Sequence, residues 1–478
     1  MHRLLYSLAT LLALPWAVTH LLWRARRQPE YLRHWGERFG YFPPRPTQPP
    51  TLWLHAVSVG ETRAAQPLVA ALRERYPEHR ILFTHMTPTG RATSQALFGD
   101  MVERIYLPYD TPWAMRRFLR HYRPRFGCIL ETELWPNLLA ACARQRVPVL
   151  LVNARLSARS ARRYARFAKL TRQTLRQLTA IGAQSADDAA RLAALGAQGA
   201  QTPVVTGNLK FDSMPPPAQL ALGEVFRARI GQRPVWLAAS TREGEEALIL
   251  AAWKKTVAVS VASTTTAPRD ANRPGDTLDA CEKVGDGETA VVPVSAIISI
   301  ATDATTSPGI PLLIPLLILV PRHPQRFDEV AQLAIQQGFN VQRRSEDAPV
   351  AATTHVLLGD SMGEMFAWYA AADLAFIGGS LQDYGCQNLI EACAVGTPVL
   401  LGPSTFNFAE AAREALACGA ARSIADADDL ARQVMVLFAD GGQRQRMSEA
   451  ARDFAARHRG ATSRTLALLD NALSRAGR

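Results

Sequence analysis

The sequence lacks the motifs that mark several large enzyme classes. It contains no GxxxxGK[ST] and no GxGxxG segment, so ATPase and dinucleotide dehydrogenase functions lose support. Its six cysteines form no CxxC pair, and this gives no sign of a zinc site or a disulfide framework. We therefore interpret the cysteines as reduced thiols, most of them small core residues of a cytosolic domain.

Acidic residues are fewer than basic residues in this chain of 478 residues. It has 54 Lys and Arg against 42 Asp and Glu, a net charge of +12. This excess indicates an acidic partner and leaves nucleic acid, anionic lipid and a phosphorylated substrate open. The length exceeds that of one ordinary domain and predicts two domains with additions.

Uncharged residues dominate the N-terminal segment. Residues 4–23 are nearly long enough to cross a hydrocarbon core, and Arg24, Arg26 and Arg27 follow them. No signal-peptide cleavage site is clear. We predict a single membrane-anchor helix over residues 1–24, with the rest of the chain in the cytoplasm by the positive-inside rule. A helix lying in the membrane interface and a helix buried in the protein are the alternatives.

Short apolar runs alternate with helical patterns along the remainder. This alternation predicts two α/β domains with parallel sheets, residues 25–215 and residues 216–478. Strands are predicted at 51–57, 80–85, 104–107, 126–130, 147–152, 180–183 and 203–206, and at 235–240, 316–320, 355–358, 373–377 and 398–401. Residues 254–311 interrupt the second domain after a helix that is expected to end near Trp253, and we predict no catalytic residue in this insert.

The segment between Arg155 and Leu178 carries a dense series of basic residues beside apolar residues at helical spacing. The face could be solvated, or it could contact anionic lipid headgroups. Nucleic acid is disfavoured as a partner, since no helix-turn-helix, zinc or RNA-binding signature accompanies the charge.

Two acidic motifs follow predicted strands of the first domain. Glu61, in SVGET, should lie at a helix start, where it could act as a general base or simply cap the helix. Glu131 and Glu133, in ETELWPN, precede a proline that is suited to the first turn of a helix, and capping explains them equally well.

The second domain has polar strand-end segments of its own. They should meet at one sheet edge and form a ligand site. They are STREG (240–244), PRHP (321–324), GDSMGE (359–364), GGS (378–380), NLIE (388–391) and GPSTF (402–406). Asp426-Ala427-Asp428 has the DxD form of metal-dependent sugar transferases, but an N-cap is the preferred explanation, and no metal is expected.

Taken in order, these segments resemble the enzymes that transfer Kdo (3-deoxy-D-manno-octulosonic acid) to lipid A precursors. The resemblance covers nearly the whole chain outside residues 254–311. It rests on LWLHAVSVGE (52–61), ETELWPN (131–137), NARLS (153–157), GNLKFD (207–212), ASTREGEE (239–246), LVPRHPQRF (319–327), GDSMGE (359–364), GGS (378–380), QNLIEACAVGTPVLLGP (387–403) and TFNF (405–408).

The resemblance implies a GT-B glycosyltransferase fold, in which two Rossmann-like domains face a cleft. It implies inverting, cofactor-free transfer from CMP-Kdo to a lipid A precursor such as lipid IVA, at the cytoplasmic face of the cell inner membrane. Glu61 would be the catalytic base, and Glu131 and Lys210 would stabilise the transition state. The matching CMP-binding residues are Pro321, Arg322, Met362, Gly363, Glu364, Asn388, Leu389, Ile390 and Glu391.

Two other functions remain open from the sequence. A nucleotide-sugar epimerase shares the two-domain architecture, although the apolar N-terminus and the basic segment fit a soluble substrate poorly. A non-catalytic, membrane-bound lipid-binding protein is the second. The chain departs from the usual family pattern at Cys386 and Ser404, where Gly and His are usual.

Overall fold

The computed structural model of the chain describes residues 2–44, 49–265, 315–475 and 477. They form two compact units. Unit 1 comprises Met1–Ser213 with His458–Arg478, and unit 2 comprises Met214–Arg457. The sequence placed 458–478 in the second domain, whereas these residues pack with unit 1.

Unit 1 contains a seven-stranded parallel sheet in the order β3-β2-β1-β4-β5-β6-β7. Its strands are β1 (Thr51–His55), β2 (Arg80–His85), β3 (Val102–Tyr106), β4 (Pro124–Leu130), β5 (Val149–Ala154), β6 (Ala180–Ala183) and β7 (Val204–Val205). Alternate side chains of β1 enter two separate cores: Trp53 lies in one, and Leu52 and Leu54 lie in the other. Burial on both faces explains the continuous apolar runs.

Helices cover both faces of this sheet. They are α1 (His2–Ala25), α2 (Val59–Ala64), α3 (Gln66–Arg75), α4 (Pro88–Phe98), α5 (Pro112–Tyr122), α6 (Pro136–Arg144), α7 (Ala158–Ala165), α8 (Ala168–Leu175) and α9 (Ala186–Ala194). The basic segment is thus two short helices and not the single helix that its spacing suggested. The break falls at Phe167, which has φ −115° and ψ 40°.

Helix α1 is long and apolar enough to cross a membrane, by length and composition only. It lies along unit 1 with one face, because only Ser7, Leu21 and Ala25 are buried. The Ser7 hydroxyl donates to Asn137 Oδ1 at 2.8 Å, and Leu21 and Ala25 pack with Tyr31. Most of the helix is exposed, so the alternative of a buried core helix is wrong.

Unit 2 also contains a seven-stranded parallel sheet, in the order β10-β11-β9-β8-β12-β13-β14. Its strands are β8 (Val235–Thr241), β9 (Leu316–Pro321), β10 (Val341–Arg343), β11 (Val356–Leu358), β12 (Leu374–Ile377), β13 (Val399–Leu401) and β14 (Ala421–Ser423). The sequence did not predict β10 and β14. Both lie at edges of the sheet and are too short and too exposed to show an apolar run.

Unit 2 has eight α-helices in the part of the chain that the structure describes, and the second of them is longer than expected. They are α10 (Pro217–Ile230), α11 (Glu245–Thr265), α12 (Phe327–Gln336), α13 (Met365–Ala371), α14 (Leu389–Val395), α15 (Ala409–Ala417), α16 (Ala427–Ala439) and α17 (Gly441–His458). Helix α11 continues past Trp253, because no Gly or Pro interrupts the chain before Thr265. The rest of the predicted insert, from residue 266 to 311, lies outside the described residues.

Candidate active site

Glu61 lies in the first turn of α2, directly after β1. The helix starts with a capping box, in which the Ser58 hydroxyl accepts from the Glu61 N–H at 3.2 Å. The Glu61 carboxylate accepts in turn from the N–H groups of Val57 at 2.8 Å and Ser58 at 3.2 Å. Capping and catalysis therefore do not compete here, because a carboxylate has about four acceptor positions and the cap uses two.

Burial raises the pKa of Glu61 to about 7, and the nearby charge of Glu131 contributes, with a smaller effect from Glu133. The two backbone donors oppose this shift without cancelling it. A carboxyl group with a pKa close to neutral pH is suited to take up a proton and release it again.

Glu131 follows β4, the strand beside β1, and has a positive φ of 55°. The pKa of Glu133 is raised by burial and by the charge of Glu131. Positive φ is unfavourable for a residue other than Gly and often occurs at functional sites. Glu61, Glu131 and Glu133 therefore form one group at the carboxyl edge of the sheet, which we call the acidic edge.

Lys210 lies in a short 3₁₀ helix, Leu209–Asp212, that packs against α2. Helix α18 (Ala461–Arg475) fixes this segment. The Asp212 carboxylate accepts from the N–H groups of Gly460 at 2.6 Å and Thr462 at 2.5 Å. The segment of Lys210 is thus brought beside the helix of Glu61 by the last helix of the chain, a dependence that the sequence analysis missed.

The loop before α4 contacts the segment that precedes Glu61, since the Thr87 hydroxyl donates to the Val57 carbonyl at 3.1 Å. Arg91, in α4 itself, forms an ion pair of 2.7 Å with Glu37. The Glu37 carboxylate also accepts from the Tyr106 N–H at 2.7 Å. These contacts give Arg91 a structural role in holding the N-terminal segment to the sheet.

In unit 2, two of the three acids of the STREGEE segment (240–246), Glu245 and Glu246, are structural. The fully buried Glu245 carboxylate accepts from the N–H groups of Gly379 at 2.7 Å and Leu381 at 3.0 Å. Glu246, also fully buried, binds Arg326 through both carboxylate oxygens at 2.8 and 3.2 Å. These bonds hold together the loops after β8, β9 and β12.

Cationic side chains surround the ends of β8 and β9. Arg242 NH1 lies 3.2 Å from His323 Nε2, and Arg322 Nε donates to Gln387 Oε1 at 3.2 Å. Burial and the charges of Arg242, Arg322 and Arg326 lower the pKa of His323. We call Arg242, Arg322, His323 and Arg326 the basic edge. Guanidinium groups in such a cluster suit a phosphate.

The segment of Met362, Gly363 and Glu364 ends at the start of α13. Met362 is 54% exposed, and Gly363 has φ 85° with open space around its Cα. The Glu364 carboxylate accepts from Ser361 Oγ at 2.5 Å and pairs with Arg344 at 3.3 Å. Of the three, Gly363 offers an accessible backbone, and Glu364 is held by protein groups.

Asn388 caps α14, accepting from the Ile390 N–H at 3.2 Å, and its amide donates to Glu391 at 3.0 Å. Leu389 and Ile390 are core residues with exposures of 0% and 1%. A ligand could therefore meet Leu389 and Ile390 only through their backbone. Pro321 is likewise buried in β9. The polar side chains at the matching positions of these two segments are Arg322, Asn388 and Glu391.

The two departures from the family pattern have structural explanations. Cys386 is buried with φ 68°, a conformation that favours glycine, and burial raises the pKa of its thiol to about 12. The Ser404 hydroxyl accepts from the Gly385 N–H at 3.1 Å and donates to Asp383 at 3.2 Å. Ser404 therefore stabilises the turn that Cys386 belongs to.

Asp426 is an N-cap, as the sequence indicated, since its carboxylate accepts from the Asp429 N–H at 2.8 Å. Among the side chains that the structure describes, no group of three or more His, Cys, Asp or Glu has the arrangement of a metal site.

The fold and one sequence match define the class. The structure is similar to UDP-GlcNAc 2-epimerase from Neisseria meningitidis, with a TM-score of 0.54 at 12% identity over 88% of this chain and 99% of that chain. Residues 336–454 match the family model of glycosyl transferases group 1. The chain has two parallel-sheet α/β units of the GT-B type and is a glycosyltransferase.

Residues 33–213 match the model of 3-deoxy-D-manno-octulosonic-acid transferase. The enzyme of that name from Bordetella pertussis is 42% identical over 91% of this chain and 90% of its own length. The one from Haemophilus influenzae is 34% identical over 99% of this chain and 100% of its own length. The chain therefore belongs to the 3-deoxy-D-manno-octulosonic acid transferase family.

Proposed function

We propose that the protein transfers Kdo from CMP-Kdo to a lipid A precursor, with inversion at the anomeric carbon, using Glu61 as the base. The observation that carries the proposal is the buried Glu61 carboxyl group at the end of β1, whose pKa is about 7. Membership of the Kdo transferase family supplies the sugar and the type of acceptor.

In the proposed step, Glu61 takes the proton of the acceptor hydroxyl. The hydroxyl oxygen forms a bond to the anomeric carbon of Kdo as the bond from that carbon to the CMP phosphate oxygen breaks. The electron pair of the broken bond stays on the phosphate. The backbone donors of Val57 and Ser58 hold the carboxylate in one orientation while its remaining lone pairs accept the proton.

The basic edge would stabilise the departing CMP. Arg242 and Arg322 lie at adjacent strand ends of unit 2, and His323 lies beside Arg242. Fixed cations near a developing phosphate charge lower the barrier without reorganisation during the step. Arg326 contributes less, because Glu246 neutralises it. The proposal assigns charge neutralisation to these groups and includes no metal.

Lys210 and Glu131 would act next to the base. The 3₁₀ helix that carries Lys210 packs against α2, which carries Glu61. An ammonium group there suits the carboxylate of Kdo or a phosphate of the acceptor. The charge of Glu131 adds to the effect of burial in raising the pKa of Glu61, so that Glu61 can accept a proton near neutral pH.

We also propose that α1 attaches the protein to the cytoplasmic face of the cell inner membrane, with the basic residues of α7 and α8 near its anionic lipids. Leu4, Leu12 and Trp16 are exposed by 70%, 73% and 68%. Deleting residues 2–24 should release most of the protein from membranes, and salt should release the remainder. If the truncated protein stays bound to membranes at high salt, the proposed roles of α1 and of the basic residues in membrane attachment are wrong.

Release of CMP from CMP-Kdo on addition of the lipid acceptor tests the function. We expect release only when both substrates are present. CMP binding without release would favour a non-catalytic lipid-binding protein. Epimerisation of a nucleotide sugar without an acceptor would favour the epimerase alternative.

A further inference from the structure

A cavity in unit 1 lies beside the acidic edge but is not part of it. Its volume is about 830 Å³, within the range of roughly 300–1,000 Å³ that is typical of small-molecule sites. Its walls come from α1, from the turn before α6 and from the region where α7 meets α8. They include Leu5, Ala9, Leu134, Phe167 and Leu170. Such walls are suited to bind an apolar ligand.

The cavity is connected to the acidic edge through one short segment. Leu134, in its wall, directly follows Glu133. Tyr164, another wall residue, donates its hydroxyl to the Thr132 carbonyl at 3.2 Å, and burial together with the nearby Glu133 charge raises the Tyr164 pKa to about 12. A ligand in the cavity therefore lies next to the segment that carries Glu131 and Glu133.

The cavity also carries positive charge. Arg166 and Lys169 line it, and both are exposed to solvent. An apolar interior with cations at the opening is complementary to a lipid that has an anionic headgroup.

Helix α1 forms a fixed wall that would lie at the membrane. Ser7 bonds to Asn137, and Tyr6 bonds to the buried Asp110 carboxylate. Ala25, 18 positions after Ser7, is buried beside Tyr31. These attachments are roughly 27 Å apart at 1.5 Å per residue, so α1 lies along unit 1. Its outward face is apolar, as in a helix lying in the membrane interface.

We propose that this cavity binds a fatty acyl chain of the acceptor lipid and so places the acceptor hydroxyl beside Glu61. The inference rests on the proposed function, because that function supplies an acylated, phosphorylated acceptor. The headgroup phosphate would lie toward Arg166 and Lys169, and the acyl chain would lie between α1 and α8.

Filling the cavity from either wall tests the proposal. Ala9→Trp, from α1, and Ala168→Trp, from α8, should each raise the KM for the acylated acceptor by about tenfold or more, the effect of leaving about two methylene groups in water. The KM for CMP-Kdo, and for an acceptor with its acyl chains removed, should stay unchanged. Ala13→Trp, an exposed change on α1 outside the cavity, is the matched control and should behave as wild type.

An unchanged KM for the acylated acceptor, or equal changes for the acylated and deacylated acceptors, overturns the proposal and leaves the proposed function intact. If the wild-type protein releases no CMP with either the acylated or the deacylated acceptor, the proposed function fails instead.

A binding measurement on the wild-type full chain decides the proposal independently of turnover and of variant folding. An acceptor analogue with a photoreactive group in its acyl chain should label residues 2–9, 134–136 and 164–174. An excess of unlabelled acceptor should compete, and an excess of bilayer phospholipid should not. Labelling elsewhere, or equal competition by phospholipid, overturns the assignment to the acceptor.

Discussion

Glu61 and Glu245 occupy equivalent positions in the two units but have different surroundings. Each lies at the start of a helix after the first strand of its sheet, and each accepts backbone N–H bonds. Burial raises the pKa of both groups. Glu245 is bound by backbone donors from two loops, whereas Glu61 has the like charges of Glu131 and Glu133 nearby.

The carboxyl edges of the two sheets also differ in the charge of the residues that surround them. In the acidic edge of unit 1, the charges of Glu131 and Glu133 add to the effect of burial in raising the pKa of Glu61, and the basic edge of unit 2 groups guanidinium groups around an imidazole. A transfer from a sugar phosphate requires a proton acceptor for one substrate and cations for the other. One type of sheet therefore serves both requirements through the residues at its strand ends.

The largest expected effect concerns the base. Glu61→Gln should lower the turnover number by about 10²–10⁴-fold, the usual contribution of a general base, while CMP binding by calorimetry stays unchanged. Ser58→Ala separates capping from catalysis, because it removes the N-cap and keeps the carboxylate. It should cost about 0.5–2 kcal/mol of stability and retain most activity. Wild-type turnover in Glu61→Gln would show that Glu61 is not the catalytic base.

The basic edge predicts the next effect. Arg322→Ala should weaken CMP binding by about 1.5–3 kcal/mol, the range for hydrogen bonds to charged groups. Arg432→Ala is a suitable control, since Arg432 lies on α16 and pairs with Asp429 away from these strand ends. Titration of CMP by calorimetry measures both variants. Equal affinities in the two variants would mean that unit 2 does not hold the phosphate through Arg322.

The sequence predicted the buried strands well, because residues buried on both faces form continuous apolar runs. It missed β10 and β14, which are short and half-exposed, and it ended α11 too early. It also placed the C-terminal residues in the second domain. The bonds from Asp212 to Gly460 and Thr462, which join them to unit 1, link residues about 250 positions apart and have no local signal.

The sequence placed the candidate residues after strands, but only the structure shows the contacts that distinguish candidates from structural residues. Glu61 and Glu245 have similar local sequence contexts, and only the neighbouring loops distinguish a functional candidate from a structural acid. The same holds for Arg322 and Arg326, since only the structure pairs Arg326 with Glu246. Leu389 and Ile390 were predicted to bind CMP because they lie in a segment that matches the family. Their side chains are buried, so only their backbone could contact a ligand.

The pH dependence tests whether the carboxylates of the acidic edge are coupled. The rate constant kcat/KM should rise with pH with a midpoint near 7, because Glu61 acts when deprotonated. Glu131→Gln removes a like charge and should move this midpoint to lower pH, although the maximal rate falls if Glu131 also stabilises the transition state. The exposed Glu78→Gln serves as a control. An unchanged midpoint in Glu131→Gln would show that the two groups are independent.

The smallest effect concerns backbone strain at Cys386, in unit 2. Cys386 has φ 68° just before the segment that caps α14, and a residue with a Cβ is disfavoured there by roughly 1–2 kcal/mol. Cys386→Gly and Cys386→Ala both remove the buried thiol, so the difference between their free energies of unfolding reports the effect of the Cβ atom. The greater freedom of Gly in the unfolded chain offsets about 0.5–1 kcal/mol of the relief. We therefore expect Cys386→Gly to be more stable than Cys386→Ala by up to about 1 kcal/mol in denaturant unfolding. CMP affinity should be at least as high in the Gly variant, because the turn reaches its conformation without strain. Greater stability of Cys386→Ala would show that the positive φ at this position carries no strain.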